Sequence, residues 1–354
     1  MKMKSALRTI LFTIVLSMLC LAASACGQQK KVIPANPVDR SGFYFNTFIN
    51  VKLYDTDDTA ILDDCMAMAD RFEKLFSATL EGSDIWNVNH AQGAPVTVDD
   101  ETAALLQIAL NYAGKTDGLF DPTIGAVSTL WNFTNEPLGP VPDEAAISEA
   151  LQHIDVSCVK LDGNTVQLTD PEARIDLGAI AKGYIADRLK DLLMERGVES
   201  AIINLGGNVL TIGEKPDGTT FRIGVQKPFS TRNETIAAID VNNLSMVSSG
   251  NYERYFVVDD VLYHHILDPA TGFPVDNGLL GVTILSEKSV DGDALSTTCF
   301  ILGLEEGLKL IEETEKVEAL FITGNREDPD SYELHYSSGF PVKPSSPSEP
   351  AAVR

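Results

Sequence analysis

Asp293 and Thr297 stand four residues apart in the segment Asp291-Gly292-Asp293-Ala294-Leu295-Ser296-Thr297-Thr298. On a helix that spacing puts a carboxylate and a hydroxyl on one face. Both are hard oxygen donors suited to Mg²⁺, with waters and a substrate phosphate completing the octahedron. The same residues have structural uses, since Asp293 could cap the helix and Thr297 could bond back into the preceding turn. A second segment, Ile175-Asp176-Leu177-Gly178-Ala179-Ile180-Ala181-Lys182-Gly183-Tyr184, runs from extended chain into a helix. Its small residues let a ligand approach the backbone, free amides at a helix start favour an anion, and Lys182 adds a point charge. A tight strand-to-helix turn with a surface lysine is the alternative. A third, His264-His265-Ile266-Leu267-Asp268-Pro269-Ala270-Thr271-Gly272, sets an imidazole near a carboxylate and could activate a hydroxyl. It reads equally as a β-turn at Pro269–Gly272 with Asp268 bonding the turn backbone. Zinc on the histidine pair is discounted, because neighbouring strand residues face opposite ways. Asn204-Leu205-Gly206-Gly207-Asn208 is a glycine turn without the GxGxxG spacing of a dinucleotide fingerprint. Ser248-Ser249-Gly250-Asn251-Tyr252 reads as a polar loop, either a solvated turn or one with an aromatic that stacks on a ring.

Elements that could position these residues follow from periodicity. Ser41 to Tyr54 alternates with aromatic and β-branched residues and favours strands. Thr59 to Phe76 has helical spacing, a second helix follows Asp99 and Asp100 and stops near Gly114, and a third runs from Asp143 to His153. Ala179 to Arg196 reads as a helix, followed by a strand at Ala201–Asn204. Further strands fit Phe221–Gln226, Ile236–Val241, Tyr255–Val258, Gly281–Leu285 and Ala319–Thr323, with helices at Asp293–Ile301 and Glu305–Glu313. Strands and helices do not alternate strictly. The expected class is therefore α+β, with mixed, largely antiparallel sheets flanked by helices.

The 354-residue chain has enough apolar material, 44 % of its residues, to exclude a disordered or collagen-like protein. Its net charge of −24 argues against a phosphate-backbone footprint, so no nucleic-acid partner is expected. At the amino terminus, Lys2, Lys4 and Arg8 precede the apolar run Thr9–Ala23, which is shorter than the roughly 20 residues of a membrane span. Ala23-Ser24-Ala25-Cys26 resembles a bacterial lipoprotein cleavage box, with Ala23 where Leu is commonest; an ordinary secretory signal is the alternative. Residues 1–25 then form a lipoprotein signal peptide and Cys26 takes the lipid. Their removal takes away three positive charges and leaves −27. Residues 26–40 form a lipid-anchored tether, 41–340 the catalytic domain and 341–354 a disordered tail. The expected location is extracytoplasmic, anchored to the bacterial cell membrane. Cys65, Cys158 and Cys299 form neither a disulfide framework nor a CxxC metal spacing and read as small apolar residues.

In this order the segments resemble the ApbE family of flavin transferases. Its blocks correspond to Phe76-Ser77 with Ser83 and Asn89, Asp117-Gly118-Leu119-Phe120-Asp121-Pro122-Thr123, Asp176–Tyr184, Gly206-Gly207, Ser249-Gly250-Asn251-Tyr252, His265–Gly272 and Asp293–Thr297. The resemblance spans Phe43 to Thr323 and implies an ApbE-like, T-fold-related architecture. It implies Mg²⁺-dependent transfer of FMN from FAD to a Thr or Ser hydroxyl of an acceptor flavoprotein, with release of AMP and respiratory electron-transfer subunits as usual targets. On this resemblance the metal ligands are the Ala179 carbonyl, Asp293 and Thr297. His265 takes the acceptor proton, with Asp268 as alternative. Phe45, Thr79, Leu119, Phe120, Asp121, Lys182, Gly206, Gly207, Ser249, Gly250, His265 and Ile266 surround FAD. Many members have a tyrosine between the Ser77 and Ser83 positions, where this chain has Ala78-Thr79-Leu80. Hydrolysis of FAD to FMN and AMP is the alternative activity, and a non-catalytic flavin-binding lipoprotein the alternative class.

Overall fold

The computed structural model describes residues 34, 36–134, 137–231 and 234–341. The signal peptide, Cys26 and the tail from residue 342 lie outside them. Strands β1 (Val38–Tyr44) and β2 (Thr47–Leu53) form an antiparallel hairpin in which Ile49, Val51 and Leu53 face inward. The expected tether is therefore too long: Val38, Asp39 and Arg40 already pair with Leu53, Lys52 and Val51. Next come β3 (Val96–Thr97), β4 (Val159–Asp162) and β5 (Thr165–Leu168), a small sheet of order β3-β5-β4. β6 (Ala201–Leu205), β7 (Asn208–Ile212), β8 (Phe221–Gln226), β9 (Thr235–Val241) and β10 (Ser245–Gly250) follow. β11 (Tyr255–Val258), β12 (Val261–His264), β13 (Leu279–Ser286), β14 (Val317–Asn325) and β15 (Asp328–Tyr336) complete the strands described.

One eight-stranded sheet of order β1-β2-β6-β7-β10-β13-β14-β15 organises the domain. Among the described residues every strand ladder is antiparallel, in line with the largely antiparallel class expected, and the one parallel contact there is an isolated bridge between Ile124 and Arg174. Alternate residues feed two cores. Ile203, Leu205, Leu210, Val282, Ile284 and Phe321 join the helices, whereas Ile202, Val209, Leu285, Leu320 and Ile322 meet the β8–β9 hairpin on the opposite face. Covered on both sides, β13 is buried along its whole length, which explains its continuous apolar run.

The helices are α1 (Thr59–Phe76), α2 (Asp84–Asn89), α3 (Asp100–Lys115), α4 (Gly125–Ser128), α5 (Glu144–Ala150), α6 (Ala181–Glu195), α7 (Ser289–Leu302) and α8 (Leu304–Glu312). α1 and α3 start where Asp58 and Asp99 accept backbone N–H groups. Phe72 and Phe76 stack at 5.2 Å on α1, and Tyr184 of α6 meets both edge-on. The fully buried Phe72 ring contributes about 2–3 kcal/mol. Glu101 ties α3 to α6 by accepting from the Tyr184 hydroxyl at 2.5 Å and the Arg188 guanidinium at 2.7 Å. A third cluster of Val127, Trp131, Ile147, Phe256 and Leu267 supports the β11–β12 hairpin.

Candidate active site

The chain turns into α6 around Asp176. Its Oδ1 accepts the Gly178 N–H at 2.8 Å and its Oδ2 the Ser128 hydroxyl at 2.9 Å. Its own N–H donates to the Pro122 carbonyl at 2.8 Å, which brings the Leu119–Thr123 stretch alongside. Asn89 holds the preceding residue from both sides, donating to Ile175 O at 2.9 Å and accepting Ile175 N–H at 2.7 Å.

α6 and α7 then hold each other's first turns. From α7, the buried Asp293 accepts the Gly183 N–H at 2.8 Å. From α6, Asp187 accepts the N–H groups of Ser289 and Val290 at 2.8 and 3.0 Å. Burial lifts the Asp187 carboxyl to about 6 even though those two donors favour its charged form. Gly183 permits the crossing, because a Cβ there would lie 2.4 Å from Ser289 O and 2.6 Å from Val290 Cα. Gly183→Ala must part the helices. It should cost about 1–3 kcal/mol of stability. Thermal melts check this; an unchanged melting temperature would show that the crossing tolerates the methyl group.

The Gly183 N–H is spent on Asp293, so the Ala179 carbonyl four residues earlier accepts no hydrogen bond among the described residues. The Thr297 hydroxyl likewise makes none there. Ser296 and Thr298 bond back into α7 instead, to Asp293 O at 3.0 Å and Ala294 O at 2.8 Å. The structural alternative for this pair is thereby corrected: Asp293 sits inside α7, which starts a turn earlier than expected, and caps α6 rather than its own helix. Lys182 Nζ stands 3.5 Å from Asp293 Oδ1 and donates to Gly178 O at 3.2 Å. Among the described residues no three His, Cys, Asp or Glu side chains cluster for a metal. The residues expected to hold a metal, Ala179, Asp293 and Thr297, include only one carboxylate.

His265 follows β12 directly. Its ring Nδ1 lies 3.3 Å from the Arg254 carbonyl, and its backbone N–H donates to the same oxygen at 3.2 Å. A carbonyl only accepts, so Nδ1 carries the proton and Nε2 keeps a lone pair. Removal from water, with the charges of Arg254, His264 and Lys182, pushes its pKa down to about 3. The ring is thus neutral at ordinary pH. Asp268 instead has one oxygen committed to the turn, accepting Ala270 N–H at 2.8 Å. His264 is buried, within 2.9 Å of Val275 O.

The ApbE family pattern matches residues 45–321. The chain belongs to the ApbE family. It is 41 % identical over 282 residues to the FAD:protein FMN transferase of Klebsiella pneumoniae, covering 79 % of this chain and 87 % of that one. It is 35 % identical over 329 residues to the FAD:protein FMN transferase of Treponema pallidum, covering 87 % and 90 %. Among solved structures, the ApbE protein of Thermotoga maritima superposes with a TM-score of 0.78 at 32 % identity, covering 86 % of this chain and 98 % of that one. The flavin transferase ApbE of Vibrio cholerae gives 0.76 at 27 %, covering 87 % and 99 %.

Within this ApbE fold the remaining expected residues fall into separate groups. Phe45 sits at the tip of the β1–β2 hairpin, its N–H donating to Glu73 at 2.7 Å. Gly206 lies against that hairpin at a φ of 63°, where a Cβ would be 2.3 Å from the Thr47 hydroxyl oxygen; Gly207 follows. Ser249 reaches the Asp293 helix through a 2.8 Å hydroxyl pair with Ser296. The solvated-turn reading of Ser248–Tyr252 is corrected: Ser248 to Gly250 end strand β10 inside the large sheet, and the Tyr252 ring fills the space beside Gly250. Phe120 packs on Tyr112 and Ile266 lies in the core, so both side chains serve packing. Leu119 is half-buried, and Asp121 Oδ1 accepts the Thr123 N–H and hydroxyl. Thr79 bonds only to Ser77 among the described residues. Asp187 and Arg254 carry no sequence signal of their own; the fold alone brings them to the first turn of α7 and to His265.

Proposed function

We propose that this protein transfers FMN from FAD, in a Mg²⁺-dependent reaction, onto a Ser or Thr hydroxyl of an acceptor flavoprotein and releases AMP. The observation that carries this reading is the oxygen set at the crossing of α6 and α7. The Ala179 carbonyl and Thr297 hydroxyl lack donors among the described residues, and the buried Asp293 draws the Lys182 ammonium to 3.5 Å. One charge and two neutral oxygens suit a hard cation that keeps sites for phosphate oxygens and water. Ala179, Asp293 and Thr297 would hold Mg²⁺, which when bound offsets charge building on the diphosphate.

The chain's own residues supply the rest. Lys182 offsets the diphosphate's charge in a strongly acidic protein. Gly207, with open space where a Cβ would stand, leaves room for a flat ring near the β1–β2 hairpin that carries Phe45. His265 Nε2 accepts the proton of the acceptor hydroxyl as its oxygen attacks the flavin-side phosphorus. The new phosphorus–oxygen bond forms, the bridging one breaks, and the electron pair leaves with AMP. Cys26 carries the lipid in this reading, so the domain works on the extracytoplasmic side of a bacterial membrane and meets acceptors there.

Incubation with FAD, Mg²⁺ and an acceptor containing a Ser or Thr target tests the proposal. In-gel flavin fluorescence on the acceptor supports transfer. Free FMN and AMP without labelled acceptor would make the protein an FAD diphosphatase, and bound, unchanged FAD a carrier. Lys182→Ala should weaken FAD binding about ten-fold with a smaller effect on the rate at saturation. A pure rate defect would remove Lys182 from the binding role.

A further inference from the structure

We infer that Arg254 is a further substrate-binding residue whose guanidinium grips the flavin-side phosphate, the one at which the acceptor hydroxyl attacks. The inference rests on the function proposed above. Seven other arginines in the described residues each hold a carboxylate or carbonyl: Arg40 with Asp63, Arg71 with Asp99, Arg174 with Pro171 O, Arg188 with Glu101, Arg196 with Asp64, Arg222 with Asp240 and Arg326 with Asp260 O. Arg254 alone among the described arginines has no hydrogen bond or ion pair for its guanidinium. In a chain with 51 acidic against 27 basic residues, carboxylates are not scarce. A half-buried guanidinium without an anion gives up hydration and gains little in return. Five N–H donors in a planar fork match a phosphate.

Its position fixes which phosphate. Tyr255 pairs with His264 across the β11–β12 ladder, so Arg254 stands opposite His265. The Arg254 carbonyl is the group that orients the His265 ring. Two carboxylates reach it through their fields: the exposed Glu253, one position earlier, acts more strongly, and Asp176 has its oxygens occupied by Gly178 and Ser128. One residue thus anchors the base through its backbone and presents a cation beside it. The phosphorus under attack must lie next to that base, whereas the leaving AMP lies on the far side.

The test uses the whole protein and three probes: riboflavin, FMN and AMP. Arg254→Gln should weaken FMN binding about ten-fold or more, the loss of a charge-assisted bond, and leave riboflavin and AMP affinities unchanged. Arg254→Lys, which keeps the charge without the fork, should recover part of the FMN affinity. Removing this positive neighbour should also move the acid limb of the kcat/KM profile to higher pH, because it helps to hold the His265 pKa down. Unchanged FMN affinity in Arg254→Gln overturns the inference. So does an equal loss for riboflavin, which marks a structural role, or a loss confined to AMP. If the unsubstituted protein binds FAD and labels the acceptor while Arg254→Gln keeps its FMN affinity, only this inference fails. If the unsubstituted protein neither binds nor transfers flavin, the proposed function fails and the inference with it.

Discussion

On the proposed function, Asp293→Ala should lose Mg²⁺-dependent turnover by about a thousand-fold or more, since its carboxylate would be the single charged donor and metal assistance is worth several kcal/mol. The remaining Thr297 hydroxyl and Ala179 carbonyl are neutral and cannot hold the cation alone. The variant also strips a partner from the buried Gly183 N–H, a loss of about 1–3 kcal/mol. Asp293→Asn separates the two effects. It keeps an acceptor for Gly183 but removes the charge, so its melting temperature should stay near that of the parent while calorimetry with Mg²⁺ and FAD shows weakened metal binding. Near-normal transfer by Asp293→Ala at low Mg²⁺ would move the metal elsewhere.

Legibility of this arrangement from sequence divides along a physical line. Local signals were sufficient where the element carries its own start: α1 spans Thr59–Phe76 as its spacing predicts, with Asp58 capping it. α7 was placed a turn late because Lys288 offers no side-chain cap and the partner for Ser289 and Val290 is Asp187, some 102 residues earlier in the chain. The end of β10, Ser248–Gly250, reads from sequence as a loop for a related reason. Ser248 and Ser249 lack the β-branched character of a strand, and only the ladder with β13, Ser248 opposite Thr283 and Ser249 opposite Val282, makes them sheet residues. Phe120 and Ile266 belong to segments expected at the site, yet burial is a property of the packed fold and turns both side chains inward. Arg254 shows the same limit from the other side. An arginine without a partner is invisible until the other described arginines have been seen to hold a carboxylate or a carbonyl.

The second large effect concerns the base. His265→Ala should reduce transfer by about a hundred-fold or more, within the range for removal of a general base, with FAD affinity little changed. Asp268→Asn should have the smaller effect, because Asp268 Oδ1 serves the Ala270 N–H and an amide oxygen can accept it equally. The reverse ranking would make Asp268 the proton acceptor. The pH profile gives an independent check. With its pKa pushed from 6.5 to about 3, His265 in the free enzyme stays neutral as the pH falls through 6. The kcat/KM contribution of this group should therefore be flat from about pH 8 to about pH 5, where an ordinary histidine base would already be lost. Stability follows the same proton. The unfolded chain takes it up below 6.5 and the folded chain only near 3, so the contribution of His265 is complete above 6.5 and declines as the pH falls toward 3. An acid limb near 6.5 in kcat/KM that persists in His265→Ala would belong to another group and remove His265 from the mechanism.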